Sequence, residues 1–203
     1  LLNWEWQHFL EYGIEDRLGV KVSTADRQTY KESTEKLTSL ITKMPQGFVL
    51  RDYQSRNIML HNFDLYLIDF QDALTGPLLY DLVALLRDSY VQIGPNELES
   101  LLDYSMGALP KKHPYACPTD QSDSTDRSNQ LKRDFFVLTL HRKLKDAGRF
   151  QFIHTMRNNP NFLVHVPQSL EYVRHAFEML EKLGCGQGVL QNMIGAYLAE
   201  IKP

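Results

Sequence analysis

The 203-residue sequence predicts a mainly α-helical fold that carries one small β-hairpin, an α+β arrangement. Three observations lead there. Apolar residues recur at helical spacing along most of the chain. Proline and glycine stand where helices would start and stop. Short apolar runs separated by a polar turn, the pattern of paired strands, occur between residues 48 and 69.

The first helix is expected over Asn3–Leu18, with Trp6, Phe9, Leu10 and Ile14 on one face. A second runs from Ser23 to Met44, entered at Ser23 or Thr24 with Asp26 in its first turn. Leu37, Leu40, Ile41 and Met44 form its buried stripe, and its polar first half faces solvent. Pro45-Gln46-Gly47 turns the chain into Phe48-Val49-Leu50, which opens on the polar loop 51–57. Ile58-Met59-Leu60 and Leu65-Tyr66-Leu67-Ile68 flank the turn His61-Asn62-Phe63-Asp64 and read as the hairpin. Residues 71–76 read as a loop, and Pro77 as the start of a central helix with Leu82, Val83, Leu85, Leu86 and Tyr90. Pro95 starts another helix, to about Met106. The stretch 109–129 holds Pro110, Pro114, Pro118 and a polar run, and reads as a mobile insertion. A helix over Ser128–Gly148 carries Val137, Leu140, Leu144 and Ala147 on one stripe. Beside it, Leu131, Phe135 and Leu138 give way to Arg142, Lys145 and Arg149. Such a cationic row is as a rule a solvated face. Pro167 opens a helix closed by Gly184, and a last helix spans Gly188–Ile201. The glycines between them follow no strand, so they read as a helix cap and turn rather than a phosphate loop.

Composition narrows the class. A net charge of −3 gives no reason to expect nucleic acid or a membrane surface as partner. Cys117 and Cys185 match no metal spacing, which suits a reducing compartment, and a cytoplasmic location is expected. No apolar stretch approaches the ~20 residues that span a bilayer, and no signal peptide precedes the first helix.

Chemistry concentrates in residues 48–90. Asp52 and Asn57 stand five apart in one loop, Asn57 at the hairpin's entry and Asp69 at its exit. Antiparallel pairing brings Asn57 and Asp69 together, with Asp52 one loop upstream of the same edge. Asn and Asp offer hard oxygens to Mg²⁺, which takes few protein ligands plus substrate phosphates. A third carboxylate kept off the metal can orient a hydroxyl and accept its proton. That set suits phosphoryl transfer. Asp81 lies in the first turn of the next helix, where the helix dipole favours a carboxylate.

The run Leu50-Arg51-Asp52-Tyr53-Gln54-Ser55-Arg56-Asn57 matches the kinase catalytic-loop pattern H-R-D-x-x-x-x-N, and Asp69-Phe70-Gln71 stands at the D-F-G position. In these residues the chain resembles the aminoglycoside phosphotransferase and choline kinase family, which has a protein-kinase-like fold. It is most similar to the bacterial sugar kinases that act on N-acetylmuramate and N-acetylglucosamine. That closer likeness rests on Arg51-Asp52, Arg56-Asn57-Ile58-Met59, Asp69-Phe70-Gln71-Asp72-Ala73, Gly76-Pro77, Tyr80-Asp81-Leu82 and Leu85-Leu86-Arg87-Asp88. The resemblance implies Asp52 as base, Asn57 and Asp69 as metal ligands, and Asp81 as a brace under the loop. It implies ATP as co-substrate, Mg²⁺ as cofactor and a small-molecule acceptor. It also implies that residues 1–203 are the C-terminal lobe, since no glycine-rich loop or strand-rich nucleotide lobe precedes them. Two departures stand out: Leu50 replaces the pattern's His, and Gln71 replaces its Gly.

Around this set, Asp72 holds a second metal, positions a substrate hydroxyl or pairs with a neighbour; substrate positioning or loop ordering is favoured. Arg56 either offsets phosphate charge or is a solvated cation. Arg142, with Lys145, is expected to meet the acceptor or its carboxylate, for which a guanidinium is well shaped. Two other readings stay open. The acceptor is an aminoglycoside or choline-like alcohol, or the lobe is a non-catalytic scaffold.

Overall fold

A computed structural model describes residues 1–116 and 124–202. The chain is mainly helical. Helix α1 (Leu2–His8) continues as a π-helical stretch (Phe9–Asp16), and α2 covers Thr24–Lys43. Then come α3 (Tyr80–Leu86), α4 (Pro95–Ala108), α5 (Ser124–Arg157), α6 (Val166–Lys182) and α7 (Gly188–Gly195). The strands are β1 (Gln46–Val49), β2 (Ile58–His61), β3 (Asp64–Leu67) and β4 (Leu74–Pro77). Among the described residues no helix is long and apolar enough to cross a membrane. The chain divides into two compact units, Leu1–Lys43 with Phe136–Pro203, and Met44–Phe135.

In the first unit the expected stripes are buried: Trp6, Phe9, Leu10 and Ile14 from α1 and its extension, and Leu37 and Ile41 from α2. Leu40 is a correction. It falls at the margin of the α2 stripe and is 48% exposed. The polar half of α2 is not wholly solvated either, because Tyr30 is buried and its hydroxyl donates to the Trp6 carbonyl at 2.9 Å. The Trp6 indole donates to Thr38 Oγ1 at 3.0 Å, so α1 is tied to α2 by polar as well as apolar contacts. Ser23 caps α2: its hydroxyl accepts from the Asp26 amide and donates to the Asp26 carboxylate.

Helix α5 overruns the expected stop at Gly148 by nine residues, ending at Arg157 beside Asn158, whose φ is +49°. Gly148 serves close approach rather than termination. A Cβ there would lie 2.8 Å from the Phe9 Cα and 3.1 Å from the His8 carbonyl. The last helix is shorter than expected, since α7 stops at Gly195 and a 3-10 turn, Ala199–Ile201, follows.

In the second unit, β2 and β3 form the expected hairpin, with Ile58 opposite Leu67 and His61 opposite Asp64. Its two-residue turn, Asn62-Phe63, has φ of +49° and +67°, the double left-handed geometry that matches strand twist. A second ribbon corrects the expected single hairpin. β1 pairs antiparallel with β4, Gln46 opposite Pro77. Residues 74–77 are thus a strand, and Pro77 ends it rather than opening a helix. Proline is tolerated on an edge strand, and the next amide, Leu78, donates to the Pro45 carbonyl at 2.9 Å. Helix α3 begins three residues later, at Tyr80. Of the expected mobile insertion 109–129, residues 117–123 lie outside the described residues. The Tyr115 hydroxyl on one side donates to Asp134 at 2.6 Å, and α5 already starts at Ser124.

The Gly148 contact gives a stability test. Gly148→Ala forces backbone apart in a packed interior, a cost of about 1–3 kcal/mol. Denaturant unfolding should show a lower midpoint; an unchanged midpoint would mean that α1 and α5 are farther apart than described.

Candidate active site

The loop 50–57 has few ladder partners for its backbone, so its amides must be satisfied otherwise. Asp81, in the first turn of α3, accepts from two consecutive amides, Leu50 at 2.7 Å and Arg51 at 2.9 Å. Arg51 takes φ +70° at this point. Tight turns follow, with the Asp52 amide on the Leu50 carbonyl and the Gln54 amide on the Asp52 carbonyl. A 3-10 turn, Ser55–Asn57, closes the loop. The Ser55 amide donates to Asp88 Oδ2 at 2.7 Å, and Asp88 Oδ1 accepts from the Tyr90 amide at 2.9 Å.

The hairpin then carries the chain out and back. Ladder pairing runs one step past β2 and β3, where the Ile68 amide donates to the Asn57 carbonyl at 3.0 Å. Asn57 therefore stands opposite Ile68, with Asp69 the next residue along. Asn57 is 8% exposed, and its Nδ2 donates to the Asp52 carbonyl at 2.8 Å and to Asp69 Oδ2 at 3.3 Å. Gln71 Nε2 donates to Asp69 Oδ1 at 2.7 Å. Asp69 is left-handed, φ +63°, a conformation aspartate adopts more readily than most residues. A shallow cleft joins Leu50, Asp52, Tyr53, Asn57, Ile68, Asp69 and Phe70. With its amide nitrogen committed, Asn57 offers Oδ1 as an acceptor beside a carboxylate. Two hard oxygens flanking the open end of the hairpin fit Mg²⁺, which keeps waters and phosphate oxygens in its other positions. Asp52 lines the same cleft.

The remaining expected residues lie elsewhere. Asp72 is exposed on a turn closed by the Ala73 amide and the Phe70 carbonyl. Arg56 is exposed, and its guanidinium stacks 3.6 Å from the centroid of the Tyr90 ring. Arg142 and Lys145 belong to the first unit, and the cationic row there is no solvated face, since Arg142 is 3% exposed. Burial pushes the neighbouring Asp146 carboxyl up, but Lys143 at 2.7 Å, with Arg142 and Lys145, outweighs it and holds the carboxyl below its usual range. Burial lowers Lys143 against the pull of Asp146, and lowers His141 against Glu5 at 3.0 Å.

Gln71, Asp88 and Tyr90 join the site beyond the residues expected from sequence. Asp88 had a signal, since it closes the run Leu85-Leu86-Arg87-Asp88 on which the family resemblance partly rests.

Comparison with known proteins places the chain among relatives. The model of the phosphotransferase enzyme family matches residues 5–116, more than half of the sequence. An N-acetylmuramate/N-acetylglucosamine kinase of Neisseria meningitidis serogroup B is 28% identical over 187 residues, 92% of this chain and 54% of the relative. Kinases of the same name from Pseudomonas putida and Pseudomonas aeruginosa are also 28% identical, over 97% and 87% of this chain and 56% and 50% of theirs. The chain spans about half the length of the curated relatives it matches.

The Asp81 clamp yields a local prediction. Asp81→Asn keeps one acceptor oxygen and sets an NH₂ against the other amide, losing a charge-assisted bond worth about 1.5–3 kcal/mol. Amide exchange at Leu50 or Arg51 should quicken about tenfold or more; unchanged protection at both would mean that Asp81 does not hold the loop.

Proposed function

We propose, from the premise that the chain belongs to the phosphotransferase enzyme family, that it is the catalytic-loop lobe of an ATP-dependent small-molecule kinase. The reaction is transfer of the γ-phosphoryl group to an acceptor hydroxyl. An amino sugar such as N-acetylmuramate or N-acetylglucosamine is the acceptor we favour, after the names of the relatives. The observation that carries this reading is the junction of Asn57 Nδ2 with the Asp52 carbonyl and Asp69 Oδ2, at 2.8 and 3.3 Å. It ties the Asp52 backbone to the hairpin edge where Asn57 and Asp69 meet, which supports reading the three residues as one site.

In this reading Asp52 orients the acceptor hydroxyl and takes its proton as the oxygen attacks phosphorus. Asn57 Oδ1 and the Asp69 carboxylate hold Mg²⁺, and Asp81 keeps Asp52 in place through the loop amides. When bound, the metal neutralises charge on the phosphate oxygens. Arg56, fixed on Tyr90, adds a cation beside Asn57 for the phosphates. Asp72 orders the turn after Asp69 or meets an acceptor hydroxyl. Arg142 and Lys145 serve the acceptor, Arg142 through a carboxylate where the sugar has one. The nucleotide-binding lobe belongs to further polypeptide, as the greater length of the relatives supports. Phosphoryl transfer relies on positioning and charge stabilisation, so a rigid lobe with few ligands suffices.

The full-length protein, given ATP and Mg²⁺, should phosphorylate amino sugars in preference to aminoglycosides or choline. Asp52→Asn should lower kcat by about 10²–10⁴ with the fold intact; retention of most of the rate would reject Asp52 as base, and no turnover with any acceptor would reject the reading. Arg142→Ala should raise KM about tenfold for a carboxylate-bearing acceptor, as loss of a charged hydrogen bond does. Equal effects on N-acetylmuramate and the uncharged N-acetylglucosamine would exclude carboxylate recognition.

A further inference from the structure

Resting on that phosphotransferase reading, we propose that Asp88 is a positioning residue for the cation site, acting on Asn57 through the turn Ser55–Asn57. The loop has two ends, and Asp81 reaches the first, at Leu50 and Arg51. At the second end, the leading amide of a helical turn has no acceptor within the turn. Asp88 supplies one, with Oδ2 at 2.7 Å from the Ser55 amide. Its other oxygen is fixed by the Tyr90 amide at 2.9 Å, so the carboxylate cannot rotate without losing a bond. Asp88 is 2% exposed. A carboxylate that is out of water depends on such donors, and they depend on it.

The same segment grips the next residue. The Tyr90 ring carries the Arg56 guanidinium at 3.6 Å. Ser55 and Arg56 are thus each held by residues 88–90, and Asn57 follows directly with its Nδ2 on the Asp52 carbonyl and Asp69. Positioning is divided between two carboxylates seven residues apart. Asp81 sets the backbone leading to Asp52, and Asp88 sets the backbone that presents Asn57. Loss of Asp88 is therefore felt first in metal affinity, whereas loss of Asp81 is felt first in turnover.

The test is Mn²⁺ binding by electron paramagnetic resonance on the full-length protein with ADP, beside kinetics at varied Mg²⁺. Two variants are compared. Asp88→Asn removes one acceptor oxygen. Ser55→Pro deletes the donated N–H, together with the serine hydroxyl, and leaves the Asp88 carboxylate in place. Gln54 is extended, φ −127° and ψ 162°, as a residue before proline should be, and position 55 opens the turn, where proline fits. Both variants should weaken Mn²⁺ binding about tenfold, the usual effect of losing a group that orients a ligand. Excess Mg²⁺ should restore the rate, and acceptor KM should stay within about twofold. Mn²⁺ affinity equal to wild type in Ser55→Pro overturns the proposal, even if Asp88→Asn fails to fold. A rate that excess Mg²⁺ does not restore also overturns it. Wild-type protein that takes up no Mn²⁺ with ADP removes the functional reading as well; wild-type binding with unaltered variants removes the Asp88 assignment alone.

Discussion

Two neighbouring amides, Leu50 and Arg51, meet one carboxylate, that of Asp81. An irregular loop cannot satisfy its backbone through a strand ladder, and an unpaired buried N–H costs about 1–3 kcal/mol. Left-handed backbone at Arg51 adds a cost of order 1 kcal/mol. Both are offset by charge-assisted bonds to a side chain seated on a helix, which moves far less than a loop. The position of Asp52 is inherited from that helix, one residue beyond the clamped amides. The sequence's departure at Leu50 becomes intelligible here, because the loop is anchored through its main chain.

The hairpin supplies the second constraint. A two-residue turn fixes which residue of β2 faces which of β3, and the pairing runs unbroken to Asn57 and Ile68. Asn57 stands opposite Ile68, and the left-handed turn of the backbone at Asp69 brings the next side chain to within 3.3 Å of the Asn57 amide. The turn at Asn62-Phe63 and the Asn57–Asp69 pair are thus linked through the four residue pairs of the β2–β3 ladder. Gln71 adds a restraint on the Asp69 carboxylate that glycine could not provide.

Much of this was legible in residue order. Helical stripes such as Phe9, Leu10 and Ile14, or Leu170, Val173 and Phe177, are buried where their spacing puts them. The hairpin, and the adjacency of Asn57 and Asp69, follow from two apolar runs and a turn. What escaped has particular physical causes. Gly148 and Pro77 are punctuation in a linear reading, but one permits a close backbone crossing and the other occupies a strand edge. Strand β4, Leu74-Thr75-Gly76-Pro77, is too poor in branched apolar residues to be seen without its partner. Arg142 looks solvated by its type and is enclosed by its neighbours. Asp88 escaped because its bond is to main chain, which leaves no mark on the partner's residue type.

The hairpin ribbon also governs how the chain behaves in a tube. Met59, Leu60, Leu65, Leu67, Ile68 and Phe70 are all exposed, and Phe63 at the tip is almost fully so. A two-stranded ribbon has no interior strand, so each outer edge presents unpaired amides and carbonyls to any passing copy. Apolar faces beside open edges are the combination that seeds self-association. A concentrated preparation of residues 1–203 would call for a charged solubility tag or a covering partner before it could be handled as a monomer.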